Sequence, residues 1–402
     1  EISACLVGSE MCIRDRYNYM LKVALTGIPS SGKTTVINGI LERFTEQGYR
    51  VLIVPETATE FIKSGITPVG ENKIDPLIFQ ELVLRKQLSK EELYEYAANC
   101  LGSDKVIILF DRGTLDGYAY VPEEEMNEVM NKVGVSKRDL LLNYHAILFL
   151  EGSPKFFTTE NNAARYEKDA SEAAALRQRL LNSYLGHDNL RVIKPREQMK
   201  DKQEEVINIL SNMLGNPTRL RDQKKFLVSD VNIEEFLKNV GSGIVDIDQD
   251  YLVSENSEEE YRVRKMTQGN DSSYHFTVIK KLANGTREIL KEETINEKAY
   301  EKLLALKNKE LASIKKTRYS FVYANQYYKL DSFEDGLMIL EVNLTKENPT
   351  LTLPDFVSVV EDVTNDLDYT NINIAKRKKD DYDKGKDNSN RGHRLFRERN
   401  TI

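Results

Sequence analysis

The chain has 402 residues, 40% of them hydrophobic and 30% charged, with a formal net charge of −7 at pH 7. That length calls for roughly two domains of ordinary size, and the acidic balance excludes a general nucleic-acid coat, so any anion must be met by local basic clusters. No apolar run reaches the roughly 18 residues of a membrane span. Cys5, Cys12 and Cys100 form neither a disulfide framework nor a metal-ligand spacing, so a reducing, cytoplasmic setting is expected. Glu1 to about Arg16 carries no periodic pattern and no signal-peptide anatomy, and residues 1–19 are read as a non-native leader with Met20 as the native start.

From there Leu21 to Thr26 reads as a buried strand and Thr34 to Gln47 as a helix, with Val36, Ile37, Ile40, Leu41 and Phe44 on one face. Tyr49 to Val54 is a second strand, Asp75 to Asn99 a long helix or helix pair, and Val106 to Phe110 a third strand. Ala146 to Leu150, the helical Leu176 to Leu185, and the short strand Leu190 to Ile193 follow. Alternation of strands and helices predicts βαβ crossovers and a parallel sheet covered on both faces. Glu197 to Leu214 is a helix stopped by Gly215 and Pro217, which sets a boundary between residues 20–215 and a second domain, residues 220–377. There, Phe226 to Val228, Tyr261 to Met266, Tyr274 to Lys281, Thr286 to Glu292, Arg318 to Ala324, Gln326 to Ser332 and Met338 to Leu344 read as strands. Helical pieces at Ile233 to Val240 and Glu297 to Leu306 complete a mostly antiparallel domain. Lys378 to Ile402 has the composition of a disordered basic tail.

Gly27-Ile28-Pro29-Ser30-Ser31-Gly32-Lys33-Thr34 lies between a strand and a helix, the context a phosphate loop requires. Its glycines let several N–H groups face one point, and the helix N-terminus near Lys33 adds partial positive charge. Gly27 through Thr35 are therefore the candidate nucleotide-binding residues, for ATP or GTP. Lys33 should reach the β- and γ-phosphates and Thr34 should offer its hydroxyl to Mg²⁺. Asp111 ends an apolar strand, where a carboxylate can hold Mg²⁺ as a Walker-B Asp does. Glu56, at the end of the second strand, either meets a phosphate acceptor or water, or serves its helix N-terminus. Arg165 and Arg177 are candidates for stabilising charge on the γ-phosphate, with a surface helix position as the alternative for both and favoured for Arg177.

Gly27 to Thr35, Pro55-Glu56-Thr57-Ala58, Asp111-Arg112-Gly113, Tyr184-x-Gly186-His187 and Leu190-Arg191-Val192-Ile193 resemble the AAA-type ATPase domain shared by nicotinamide-ribose kinases and the TRPL translocation defect protein family. The resemblance runs from about Met20 to Leu214. It implies an α/β P-loop NTPase fold of the kinase-like kind.

In the second domain Arg262 and Arg264 leave one face of a strand, Lys316 and Arg318 repeat the spacing, and Lys280 ends another strand. Facing outward these are solvated edges; facing into a closed barrel they converge, which is costly unless an anion fills the space. The order of Lys225-Phe226-Leu227-Val228, Tyr261-Arg262-Val263-Arg264, Phe276 to Lys280, Lys316 to Tyr319, Leu340-Glu341-Val342, Leu353-Pro354-Asp355-Phe356 and Asn371-x-Asn373-x-Ala375 resembles the CYTH-like triphosphate tunnel, an antiparallel β-barrel in an α+β domain. The resemblance implies an anion-binding tunnel of Lys225, Arg262, Arg264, Lys280, Lys316, Arg318 and Glu341. Hydrolytic members open with Glu-x-Glu-x-Lys, where this chain has Arg221-Asp222-Gln223-Lys224-Lys225, and a later Glu-x-Glu is Glu341-Val342-Asn343 here. With that acidic set depleted, binding of a phosphorylated small molecule or polyphosphate is expected over hydrolysis.

The two halves in this order have the architecture of the TRPL translocation defect protein family. Three functions follow: a P-loop enzyme that hydrolyses the nucleotide or passes its γ-phosphate to an acceptor; a nucleotide-switched binding protein for a phosphorylated ligand or anionic phospholipid headgroup; or a metal-dependent triphosphatase in the second domain. Glu56 and Asp111 favour the first.

Overall fold

The computed structural model describes residues 19–29, 31–103, 105–152, 170–215, 223–231, 236, 243–254, 256–281, 287–346 and 350–382. The first half is built on five parallel strands, β1 (Tyr19–Thr26), β2 (Arg50–Val54), β3 (Lys105–Asp111), β4 (Ala146–Leu150) and β5 (Leu190–Ile193), in the order β2-β3-β1-β4-β5. Strand alternation divides its core. Leu21, Val23 and Leu25 of β1 pack with α1 (Lys33–Glu46) and the late helix Met199–Met213. Ala24, Ile108, Phe110, Ile147 and Phe149 face the opposite set of helices. The sheet is thus covered on both sides, as expected for near-continuous apolar strands.

Between β2 and β3 run α2 (Thr57–Lys63) and α3 (Pro76–Cys100). The latter is one continuous helix, started by Pro76 and by the Asp75 side chain, which accepts from Leu77 N at 2.8 Å and Ile78 N at 3.3 Å. A 3₁₀ turn (Asp116–Ala119), α4 (Glu123–Val133) and α5 (Lys137–Leu142) precede β4; α6 (Ala170–Ser183) precedes β5, and α7 (Met199–Met213) closes the half.

The second half is a nine-stranded sheet whose described pairings are all antiparallel. In chain order the strands are β6 (Gln223–Val231), β7 (Gly243–Tyr251), β8 (Glu259–Gln268), β9 (Asp271–Lys281), β10 (Arg287–Ile295), β11 (Ile314–Tyr323), β12 (Gln326–Phe333), β13 (Met338–Asn343) and β14 (Val357–Asp362), with α8 (Glu297–Leu304) after β10. The order is β10-β9-β8-β7-β11-β12-β13-β6-β14, so the expected barrel is not closed. Both edges carry register shifts, at Ile289/Lys291 in β10 and around Val359 in β14, and β14 is short and mostly exposed. Irregular, charged edges of this kind resist further pairing. One face of the sheet is apolar, with Phe226, Phe321, Tyr328, Leu340 and Phe236 in one cluster. A last helix, α9, covers residues 371–382, so helix continues into the segment expected to be tail from Lys378; residues 383–402 lie outside the described residues, as does nearly all of the helix expected at Ile233 to Val240.

The halves touch closely. Tyr327 of β12 is buried in the same cluster as Leu181, Tyr184 and Leu185, and its hydroxyl donates to His187 O at 2.8 Å. Gly243 opens β7 so near the turn after α6 that a Cβ would stand 2.7 Å from both Gly186 N and Leu185 C. Gly243→Ala should therefore force backbone apart at the junction and destabilise the chain by about 1–3 kcal/mol, the usual cost of overpacking. Thermal unfolding reads this directly, and an unchanged melting temperature would mean that the two halves do not meet there.

Candidate functional site: the phosphate loop and the charged face

Thr26 ends β1 and the chain turns at once through the loop. Gly27 has φ +139°, and a Cβ on it would lie 2.3 Å from Leu150 O, so glycine is required there. Gly32, at φ +88°, begins α1 with no side-chain cap and no acidic residue in the first turn. The first helical amides are thus left for an anion. Ile28 and Pro29 are half-buried, Thr34 and Thr35 are exposed at the helix start, and Ser30 lies outside the described residues. Ser31 is buried, its hydroxyl unpartnered among the described residues, and its carbonyl accepts from Lys202 Nζ at 2.7 Å. The same ammonium donates to Glu151 O at 2.6 Å, tying the loop to the end of β4.

Lys33 Nζ lies over the loop, donating to Gly27 O and Ile28 O at 3.3 Å each. Burial and the nearby Arg112 draw its pKa down to about 8, against the pull of Glu56, Asp111 and Asp116. Asp111 sits beside Leu25 in the β1–β3 register, which places it next to the loop. Burial raises its pKa, with Glu56 and Asp116 adding to the rise, and its Oδ1 is buried without a partner among the described residues.

Arg112, quoted above only as part of a motif, is central here. It is a non-glycine residue at φ +79°, a conformation costing about 1–2 kcal/mol. Its guanidinium reaches Gly27 O at 2.9 Å, Asp116 Oδ2 at 3.1 Å and Glu56 Oε1 at 3.0 Å. Asp116 also accepts from Thr26 Oγ1 at 2.9 Å and from the Tyr184 hydroxyl at 2.6 Å. Glu56 is the N-cap residue of α2, yet its side chain accepts from Arg112 and from Thr59 Oγ1 at 2.9 Å rather than from helix amides. Burial would raise its pKa, but Arg112 and Lys33 outweigh burial and keep it ionised. Beyond this cluster opens a cleft that begins at Pro29 and is lined by Ile62, Phe79, Leu84 and Met126.

Of the two arginine candidates, Arg165 lies outside the described residues. Arg177 does not reach the loop: it donates to Glu151 Oε2 at 2.7 Å and to Asn325 Oδ1 at 3.0 Å, joining β4 to the β11–β12 turn.

In the second half, strand register decides which charges meet. Arg264 pairs with Gln249 and His275, Gln249 with Ile314, Arg318 with Asp331, Lys329 with Glu341, and Glu341 with Lys225. Directly paired residues share a face, so Arg262, Arg264, Lys316, Arg318, Lys329, Glu341 and Lys225 all lie on the face opposite the apolar one. Lys280 does not. It pairs with Glu259, out of step with Arg262, which pairs with Thr277, and period-two alternation puts it on the other face. Lys329 and Asp331, not singled out from the sequence, complete the row. Arg318 grips Asp331 through Nε and Nη2 at 2.7 and 2.8 Å, Lys316 binds the same carboxylate, and Lys225 meets Glu341 at 2.9 Å. Burial opposes ionisation of Glu341, but Lys225, Lys329 and Arg318 hold it well below the usual carboxylate range.

Residues 22–202 match the family described as AAA domain. No curated protein matches the chain. Among solved structures, the hypothetical protein NE1496 and the inorganic triphosphatase NE1496 are 26% and 25% identical, with TM-scores of 0.29 and 0.30; they cover 38% and 39% of this chain and 96% and 95% of their own. The PH1819 protein from Pyrococcus Horikoshii OT3 is 23% identical over 32% of this chain and 79% of its own, with a TM-score of 0.26. The first half is accordingly an AAA-type P-loop domain, and among the described residues no helix is long and apolar enough to cross a membrane.

Asp331 is the shared counter-charge of two buried cations. Asp331→Asn should cost about 3–5 kcal/mol, as expected when one partner of a buried ion pair is removed. Urea unfolding at pH 7 measures it; a loss below about 1 kcal/mol, the size of an exposed pair, would show that water already compensates Lys316 and Arg318.

Proposed function

We propose that the first half binds ATP or GTP with Mg²⁺ in the cytoplasm and passes the γ-phosphoryl group to a small, hydroxyl-bearing acceptor in the adjoining cleft, while the second half binds a phosphorylated anion without cleaving it. The cleft is the observation that carries this reading. Water needs no such space, whereas a cleft lined by Ile62, Phe79, Leu84 and Met126 together with Glu56, Arg112 and Asp116 offers a small molecule apolar contact and convergent polar groups beside the loop. The resemblance to nicotinamide-ribose kinases points the same way.

The residues suit the chemistry. Thr34, exposed at the helix start, and Asp111, with its unpartnered Oδ1, would hold Mg²⁺. An ion held there would supply charge neutralisation for the oxygens of the transferring phosphate. The Lys33 ammonium, released from the loop carbonyls, meets the same oxygens. Glu56 stays ionised, orients the incoming hydroxyl and takes its proton as that oxygen bonds to the γ-phosphorus and the bond to the leaving nucleoside diphosphate breaks in line. Arg112 is a positioning residue, fixing Glu56 and the Gly27 carbonyl together. Arg165, outside the described residues, is the candidate for stabilising charge on the transferring group. In the second half the carboxylates of Asp331 and Glu341 are engaged by Lys and Arg, which favours anion binding over metal-assisted hydrolysis.

The intact chain should convert ATP or GTP to the diphosphate faster when nucleosides, sugars or polyols are supplied, with phosphorus NMR finding the phosphate on an organic product. Lys33→Ala should lower that rate at least about 100-fold, the scale of losing one preorganised charge. Free phosphate at the same rate with every acceptor would make the domain a hydrolase, and absence of Mg²⁺-dependent nucleotide binding would end the proposal. Triphosphate cleavage that survives Lys33→Ala would restore the triphosphatase reading of the second half.

Proton linkage gives a separate check. Phosphate favours the charged ammonium, so below pH 8 binding finds Lys33 already protonated. Above its free-state pKa of about 8, binding has to take up a proton and affinity falls as pH rises, by up to about tenfold per unit. Titration calorimetry between pH 7 and pH 9.5 in two buffers reads both the affinity and the proton; a flat profile would place the Lys33 pKa well above this range.

A further inference from the structure

The cations of the second half are met by a carboxylate that the second half does not supply. Asp188 lies in the turn between α6 and β5 of the P-loop domain. Its Oδ1 accepts from Arg318 Nη1 at 2.6 Å, and its Oδ2 lies 3.9 Å from Arg264 Nη1. Lys329 Nζ reaches the Asp188 carbonyl at 3.4 Å. Arg138 of α5 arrives beside them, its guanidinium bonded to Gly186 O at 3.2 Å and Ser273 Oγ at 3.0 Å. Arg262 and Arg264 each keep a buried Nε without a hydrogen-bond partner among the described residues.

Two features separate Asp188 from the permanent counter-charges of this face. Asp331 and Glu341 belong to the sheet itself and their side chains are 2% and 9% exposed, whereas that of Asp188 is 40% exposed and hangs from a turn. Its two oxygens also span two guanidinium groups, one tightly and one loosely, which is how a phosphate edge bridges paired arginines. Resting on the reading of this face as an anion site, we propose that the Asp188 carboxylate occupies a phosphate position in a site shared by the two domains, and that a short polyphosphate chain binds Arg318, Arg264, Arg262 and Lys329 by displacing it.

The chemistry is an exchange of ion pairs, with no bond made or broken. Asp188 and the incoming anion compete for the same donors, so the apparent affinity is the intrinsic one reduced by the fraction of molecules in which Asp188 is away. Removing its charge should strengthen binding, although it deletes a native contact.

The probe is inorganic tripolyphosphate, titrated calorimetrically into the full chain carrying Lys33→Ala, so that the phosphate loop does not contribute. Adding Asp188→Asn should tighten binding at least about tenfold by freeing the competent state, while Asp188→Glu, which keeps the charge, should leave affinity close to that of the parent. If parent and Asp188→Asn bind equally well, the anion-site reading stands and the displacement idea falls. Should neither bind, both fall. A second measurement does not depend on the folding of any Asp188 variant. On the Lys33→Ala chain, tripolyphosphate should speed amide hydrogen exchange over residues 184–190 as the turn is released; unchanged or slower exchange on saturation would overturn the proposal.

Discussion

A guanidinium withdrawn from water has to be met by carboxylates or carbonyls placed for its planar fork, and each half of this chain is organised around one. In the first half it is Arg112, held by Gly27 O, Glu56 and Asp116. In the second it is Arg318, held by Asp331 through two hydrogen bonds and by Asp188 through a third. Leaving either charge unpaired would cost several kcal/mol, so each arginine fixes the backbone of everything it touches. Arg112 gathers the ends of β1, β2 and β3 at one point. Arg318 draws β12 and the turn before β5 onto β11.

The same requirement decides which carboxylates are free for other work. Near the phosphate loop, Asp116 is committed to Arg112, Thr26 and Tyr184, Glu56 accepts one donor on each oxygen and keeps a lone pair on each, and Asp111 keeps a buried oxygen with no described partner, beside Lys33. A buried carboxylate oxygen left open in this way is expensive unless something cationic occupies it. On the charged face of the second half, Asp331 and Glu341 already answer Lys316, Arg318, Lys329 and Lys225. Glu292 likewise answers Arg264, so the carboxylates of that face are already engaged by cations.

What the sequence made legible was local. Strand, glycine turn and helix are consecutive in Leu21 to Gln47, so that strand–turn–helix could be read directly. Alternation also marked most strands of the second half. It failed for β7, where Ile244-Val245-Asp246-Ile247-Asp248 alternates, yet the acidic residues give it the texture of a loop. The role of Arg112 needs a left-handed backbone that a sequence does not announce. Lys280 was grouped with Arg262 and Arg264 because each ends or lines a strand; only the β8–β9 register separates their faces. Barrel closure depends on how the edge strands bend, and Asp188 meets Arg318 across 130 residues of chain.

Gln223 and Asn343 connect these observations. They stand at two positions where the resembled hydrolytic tunnels carry carboxylates, and they face each other in the β6–β13 register. A carboxylate can only accept hydrogen bonds, whereas an amide can also donate. Asn343 Nδ2 donates to Asp188 O at 3.1 Å and to Leu190 O at 3.3 Å. A glutamate at 343 would set its oxygens against those carbonyls and repel the turn that bears Asp188. Asn343 is therefore a residue that docks the first half onto the second. One short turn away, Tyr184 holds Asp116 in the phosphate-loop cluster. The segment from Tyr184 to Leu190 is thus gripped at one end by the nucleotide side and at the other by the charged face, so a shift of that turn at either end has to be accommodated at the other.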